Sequence, residues 1–404
     1  MTEKLFYHDP SLLEFDASII EHAQNGALHD VVLDRTCFFP GGGGQPADRG
    51  TLGGARVVDV KDRDGDIVHV LEAWPSPGPA ARGAVHGMVD AARRRDFMAQ
   101  HTGEHVLAQA LLTAGGLSTV SVHFGDDTTT IELAVPSVGE DVLRRAEELA
   151  NTIIMENRKV IVHDVDPSEA SRFALRRTPP EVGRLRVVEI EGFDWVGCSG
   201  VHVPSTGRLF MIKVIGQEKI RGHARIHVLI GQRAFTDYSR KVVMTQTLTR
   251  SLTCGEEFIA ARVEELVAGA RERDRELKKL RVERAAADAD TAVGAAKTFG
   301  DTRLISGVFD GVGADYLKAF AERVIASAGR VAVVLDRDAE AFQWIICHSV
   351  GSEVELPPIV TPLLASAGAR GGGRGAWMQG AGKPAAAAVS FARAVEEALS
   401  RALK

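Results

Sequence analysis

The chain is poor in the features that announce several common protein classes. Cysteine occurs four times in 404 residues, at 37, 198, 254 and 347, with no Cys-x-x-Cys. Neither a disulfide framework nor a zinc ribbon is therefore indicated. No apolar run approaches the roughly 20 residues that a membrane-spanning helix needs. The N-terminus, MTEKLFYHDPSLLEF, lacks the basic-then-apolar pattern of a secretory signal. A soluble, cytoplasmic protein is the expectation. An excess of basic residues is missing too: 48 Lys and Arg stand against 54 Asp and Glu, a net charge of −6. By itself that argues mildly against a nucleic-acid partner.

The average conceals a polarity. Residues 1–150 carry 12 basic and 23 acidic side chains, residues 151–300 carry 25 and 20, and residues 301–404 carry 11 of each. Between 208 and 250 there are nine Lys or Arg against only Glu218 and Asp237. Whole-chain charge thus decides little here.

The pattern along the chain predicts an α+β protein in four parts. Residues 1–90 alternate short apolar runs with turn chemistry, with strands expected at 29–33, 54–60 and 66–71, a turn at 40–44 and a hairpin at Asp64-Gly65. This suits a small β-barrel. The stretch 74–83, WPSPGPAARG, reads as a linker or long turn. Residues 91–245 form a second, α+β domain. Phe97, His101, His105, Ala108 and Leu112 recur at helical spacing, the stripe of an amphipathic helix. A further helix is expected at 138–158, with strands at 186–190, 209–215 and 224–230. Residues 246–300 are a helical linker, a long solvated helix or coiled-coil hairpin with Ile259, Val263, Leu266, Ala270, Leu277 and Leu280 on its seam. Pairing of two copies through this C-terminal region stays open. Residues 301–404 make an α/β module with strands at 304–309, 330–335 and 342–348, a helix at 314–328 and a glycine-rich segment, ARGGGRGAWMQGAGKP.

Three elements can carry chemistry. His101 and His105, four apart on one helix, present their imidazoles on one face, as a packed pair or as ligands of one metal ion. A zinc protease places glutamate directly after the first histidine; here that position is Thr102, with Glu104 before the second histidine, which argues against that chemistry. Cys198 and His202, in DWVGCSGVHVPSTG, present a thiolate and an imidazole from one loop. Together the two pairs make a set of three nitrogens and one sulfur that suits tetrahedral zinc. Four protein ligands describe a closed, structural site; a catalytic site needs one of them loose or the coordination expanded. The third element is RTCFFPGGGGQPADRG at 35–50. Its glycines leave amides open to a ribose, a phosphate or an oxyanion. No Gly-Lys-Ser/Thr follows, so it is no P-loop.

In this order the three elements resemble the editing domain of alanyl-tRNA synthetases and their free-standing relatives, the alanyl-tRNA editing proteins. The family's Gly-Gly-Gly-Gln-x-x-Asp-x-Gly loop appears as Gly42-Gly43-Gly44-Gln45-Pro46-Ala47-Asp48-Arg49-Gly50, followed by HTGEH and then CSGVH with a trailing VPSTG. The C-terminal glycine-rich segment looks like the module appended to alanyl-tRNA synthetases. The family usually reads Cys-Gly-Gly-Thr-His where this chain has Ser199 and Val201, and the glycine loop lies too near the N-terminus to leave room for an aminoacylation domain. The resemblance implies a free-standing, ATP-independent deacylase of the long type, hydrolysing the ester of alanine tRNA mischarged with serine or glycine. It implies zinc held by His101, His105, Cys198 and His202. Thr36 matches the position credited with contacting the seryl hydroxyl, and Gln45 and Asp48 become candidates for contacts to the acceptor end or for bracing the loop. Gly42, Gly43 and Gly44, together with Lys219 and Arg221, are candidate contacts to the tRNA. In the C-terminal module Arg370, Arg374 and Lys383 offer a phosphate-binding surface, with Trp377 as a stacking group. The alternatives are editing of another misacylated tRNA, threonyl-tRNA editing having a similar two-histidine and Cys-His pattern, and a zinc-stabilised RNA-binding protein without catalysis.

Overall fold

The computed structural model describes residues 1–74, 83–177 and 183–404. Most of the 74–83 stretch read as a linker lies outside them. The chain divides into two units, Met1–Thr247 and Leu248–Lys404, where the sequence pattern suggested four parts.

In the first unit six strands close into a barrel: Glu14–Asn25, Leu28–Leu33, Asp66–Leu71, Ala55–Arg63, Gly50–Leu52 and Ala84–Val89, in that spatial order. Period-two alternation fills its interior. Phe15, Ala17 and Ile19 point inward from the first strand and meet Leu33, Phe38, Val57, Ile67 and Leu71. The Asp64-Gly65 turn has positive φ at both residues, 54° and 92°, as a two-residue hairpin requires. Three of the six strands, Glu14–Asn25, Gly50–Leu52 and Ala84–Val89, were not legible as strands.

The barrel leads into helix α1, Ala91–Gly115. Asp90 caps it, its carboxylate accepting from the amides of Ala92 and Arg93 at 3.0 and 3.1 Å. The expected amphipathic stripe is wrong for this helix. All of residues 97–108, together with Ala110 and Leu111, are buried; the helix is enclosed rather than laid on a surface. Enclosing it are a four-stranded sheet (Ile212–Ile220, His223–Ile230, Thr129–Leu133, Thr119–Phe124), helix α2 (Glu140–Met155) and the loop carrying Val201 and Val203. A three-stranded antiparallel sheet, Val160–Val165, Leu185–Ile190 and Asp194–Gly197, delivers the Cys–His loop from its last strand. The expected strand at 209–215 is broken. A 3₁₀ turn spans Thr206–Leu209 and the strand starts only at Ile212. Helix α3, Gln232–Leu252, carries the boundary between units.

In the second unit the expected helical linker is one unbroken helix, α4, Ile259–Gly294. Most of its length is exposed, seam residues Leu277 and Leu280 included, but Ala285 and Ala289 are buried against Tyr316 and Phe320. Its end therefore belongs to the C-terminal fold. That fold is a six-stranded mixed sheet, ordered Lys297–Phe299, Thr302–Asp310, Arg330–Arg337, Phe342–His348, Trp377–Gly382 and Ala369–Arg374. Along the strand Arg330–Arg337, Val331, Val333 and Leu335 face the helices Leu356–Leu364 and Ala387–Ala402, while Ala332 and Val334 face α4 and the helix Ala314–Ile325. The glycine-rich segment is a hairpin of two paired strands, with Ala369 opposite Gly382.

Candidate metal centre

Helix α1 and the Cys–His loop converge beneath the glycine loop. His101 and His105 are buried, their ring centroids 5.1 Å apart. The ring of His202 lies 4.5 Å from the first and 4.8 Å from the second. One donor atom from each of His101, His105, Cys198 and His202 lies within 4.8 Å of all the others. Ligands at tetrahedral zinc stand about 3.3–3.8 Å apart, so a small contraction closes the set.

The surroundings assign the free lone pairs. Nδ1 of His101 lies 2.8 Å from Oε1 of Gln45, an acceptor, so Nδ1 carries the proton and Nε2 faces Cys198 Sγ, 3.3 Å away. Nδ1 of His202 is 3.1 Å from the hydroxyl of Thr102. One ring nitrogen on each of two rings, His105 Nδ1 and His202 Nε2, is buried with no hydrogen-bond partner among the described residues. Orphaned buried nitrogens beside a thiol are what a cation would satisfy, and the residues fit zinc. Burial, with Arg186 adding to it, pushes His101 down to about 3 and holds His105 and His202 well below the ordinary histidine range. The rings are thus neutral and able to ligate. Burial pushes the Cys198 thiol up to about 11; a bound cation reverses that and favours the thiolate.

The glycine loop roofs the cluster. A Cβ on Gly43, whose φ is +60°, would stand 3.5 Å from His101 Cε1 and 4.0 Å from Cys198 Sγ. At Gly200 no side chain is possible, since a Cβ there would lie 2.1 Å from the His101 ring. A cavity of about 650 Å³, lined by Tyr7, Arg186, Ser199 and His202 among others, opens beside the cluster.

The remaining sequence candidates separate. Gln45 joins the cluster, its Oε1 also accepting from the Val201 amide at 3.2 Å, while its buried Nε2 has no hydrogen-bond partner among the described residues. Asp48 does not. It is buried and braces the loop: both oxygens are taken by Arg94, and Oδ2 also accepts from the Phe39 amide at 2.7 Å. Of its two expected roles, contact to the acceptor end or bracing of the loop, these bonds fit the second. Thr36 is wholly buried in the barrel. Its hydroxyl accepts from the Phe38 amide at 3.0 Å and lies 2.8 Å from Nε2 of His69. Lys219 and Arg221 sit exposed at the tip of a hairpin and are neither hydrogen-bonded nor ion-paired to the cluster. In the C-terminal unit Arg370 and Arg374 are exposed on the edge strand, and Lys383 pairs with Glu340 at 3.7 Å. Trp377 is half-buried against the core, and its indole N–H donates to Gln379 at 3.0 Å.

Sequence reasoning missed several supporting residues. Thr102 receives the Val203 amide at 3.2 Å and so ties α1 to the Cys–His loop. Arg186 donates to the carbonyls of Cys198 and Gly200 at 2.9 and 2.6 Å and lies over the Tyr7 ring. Glu104 stands 3.8 Å from His105 Nε2, its carboxyl pushed up to about 7 by burial. Only Glu104 and Thr102 were signalled, by lying within the histidine motif; nothing local marks Arg186.

Residues 185–227, which include the Cys–His loop, match the family model described as the threonyl and alanyl tRNA synthetase second additional domain. That stretch is thus similar to an accessory domain of the threonyl- and alanyl-tRNA synthetases. The chain is related to the alanyl branch. It is 30% identical to an alanine–tRNA ligase from Pyrococcus abyssi over 92% of this chain and 41% of that one. It is 36% identical to the Methanopyrus kandleri ligase over 63% and 28%. The alanyl-tRNA editing protein Aarsd1 of Mus musculus is 35% identical over 61% of this chain and 60% of that protein. The chain spans about two fifths of the Pyrococcus ligase. The C-Ala domain structure from Aquifex aeolicus alanyl-tRNA synthetase covers 26% of this chain and 97% of that one, at 23% identity and a TM-score of 0.24, too low to speak to the fold. The alanyl-tRNA editing resemblance of the sequence motifs thus holds across relatives of both kinds. No helix among the described residues is long and apolar enough to cross a membrane.

Proposed function

We propose that the protein is a trans-acting deacylase that hydrolyses the ester of alanine tRNA mischarged with serine or glycine, with zinc held by His101, His105, Cys198 and His202. The observation that carries this reading is the convergence of the four ligands under the glycine loop, beside a cavity that reaches His202. Zinc held by these four residues would supply positive charge able to polarise an ester oxygen. The chain's own residues do the rest. Gln45 holds His101 in the tautomer that ligates, and its free Nε2 is a donor for the acceptor-end ribose or the aminoacyl group. In the reaction water adds to the ester carbonyl, the bond to the ribose oxygen breaks, and that oxygen takes the proton, releasing amino acid and tRNA.

An extra site is needed because a pocket sized for alanine rejects glycine and serine weakly by contact alone. Thr36 is the proposed seryl discriminator. His69 donates Nδ1–H to the Val31 carbonyl, so its Nε2 accepts the Thr36 proton, leaving one Thr36 lone pair for a donor such as a seryl hydroxyl. Lys219, Arg221, Arg370, Arg374 and Lys383 are proposed phosphate contacts.

The test is incubation of the protein with seryl-, glycyl-, alanyl- and threonyl-charged tRNAs, before and after zinc chelation. Loss of the seryl and glycyl esters of alanine tRNA alone, abolished by chelation, supports the reading. Preference for another tRNA, or tight binding with no hydrolysis, overturns it in favour of the corresponding alternative.

A further inference from the structure

The break in the expected strand at 209–215 has an unusual centre. Phe210 has φ +65° and ψ −65°, and the Met211 amide donates to the Leu209 carbonyl at 2.7 Å. This is a three-residue γ-turn built on a phenylalanine in a conformation that L-residues rarely hold. Burial does not compensate for it, because the side chain is 62% exposed. Its ring meets that of Phe235, itself 47% exposed, edge to face at 6.0 Å. A strained backbone that serves an exposed ring points to function.

Both rings line a cavity of about 1250 Å³ in the N-terminal unit, which none of the four metal-centre residues reaches. Arg95, Arg208, Asp126 and Asp127 line it, and none of them has an ion-pair partner among the described residues. The other charges cancel locally: Arg233 pairs with Asp96 and Arg240 with Asp237, each at 2.6 Å. A balanced lining with two exposed ring faces suits a flat, hydrogen-bonding base with one or two flanking phosphates, rather than the backbone of a duplex.

We propose that Phe210 and Phe235 form a stacking platform for an unpaired nucleobase of the RNA substrate, with Arg208 or Arg95 on the adjoining phosphate. This rests on the reading that the substrate is a tRNA. It predicts a behaviour that a packing role does not. Phe210→Gly removes the strain together with the ring, so stability should hold or rise while RNA affinity falls.

The experiment measures binding of full-length protein to uncharged alanine tRNA and to a blunt-ended RNA duplex by fluorescence anisotropy, over a range of salt. Phe210→Gly, Phe210→Leu and Phe235→Ala should each weaken tRNA binding fivefold or more. Melting temperature, duplex affinity and the salt slope should stay unchanged or, for the melting temperature of Phe210→Gly, rise. Arg208→Ala should lower the salt slope by about one. Unchanged tRNA affinity in the Phe210 and Phe235 variants, with deacylation intact, overturns the platform and leaves the editing reading standing. Weakened binding by a protein that hydrolyses no ester supports the platform and overturns the editing reading. Failure of the wild-type protein to bind tRNA overturns both.

Discussion

The side-chain oxygen of Gln45 lies 2.8 Å from Nδ1 of His101 and 3.2 Å from the amide of Val201. One acceptor thereby joins the glycine loop, the histidine helix and the Cys–His loop. The glycine motif and the metal motifs are parts of one site because this bond sets which histidine nitrogen is free.

Gln45→Ala should therefore lower zinc affinity ten- to a hundredfold, the usual consequence of losing a partner behind a metal-bound histidine. Competition with a chromogenic chelator measures it. Gln45→Glu, which keeps an acceptor in place, should recover most of the loss. An unaltered affinity in Gln45→Ala would show that the loop and the metal centre are independent.

Asp48 should behave as a structural residue. Asp48→Asn leaves the wholly buried Arg94 without its counter-charge, at a cost of roughly 3–5 kcal/mol. Denaturant unfolding reads this directly. Wild-type stability with lost activity would restore Asp48 to the substrate contacts.

Acid should act on the barrel through His69. Burial lowers it to about 4. Between the ordinary value near 6.5 and that value the unfolded chain holds a proton that the folded chain does not. Stability attributable to His69 is complete above pH 6.5 and falls as pH drops through the window, by roughly 3 kcal/mol in all. His69→Gln should flatten that part of the stability–pH curve. A variant with the wild-type slope would contradict the assignment.

Thr36→Val removes the hydroxyl but not the bulk. It should slow hydrolysis of seryl-tRNA more than that of glycyl-tRNA, measured as the ratio of kcat/KM values. Equal losses would leave Thr36 as barrel packing only.

Local spacing made the His–His–Cys–His donor cluster readable: four residues on a helix and four in a loop suffice to align donors. The hairpin at Asp64-Gly65 and the strands Asp66–Leu71 and Phe342–His348 were readable for the same reason. What escaped depends on distant partners. Glu14–Asn25 is bent by a bulge between Ile19 and Glu21 that spoils its alternation. The glycine hairpin at Ala369–Arg374 and Trp377–Gly382 has little strand propensity and is held by its ladder to Phe342–His348. Helix α1 looked one-sided because the elements that enclose it come from up to residue 230. Arg186 acts on the site through the backbone carbonyls of Cys198 and Gly200, which leave no trace in residue spacing.

The most direct test is single-turnover hydrolysis of seryl-tRNA for alanine by the wild-type protein and by Cys198→Ala, with zinc per chain measured on the same samples. The account predicts one zinc and rapid ester loss for wild type, and little of either for a folded Cys198→Ala. A zinc-loaded, folded wild-type protein that leaves the seryl ester as stable as in buffer would contradict it.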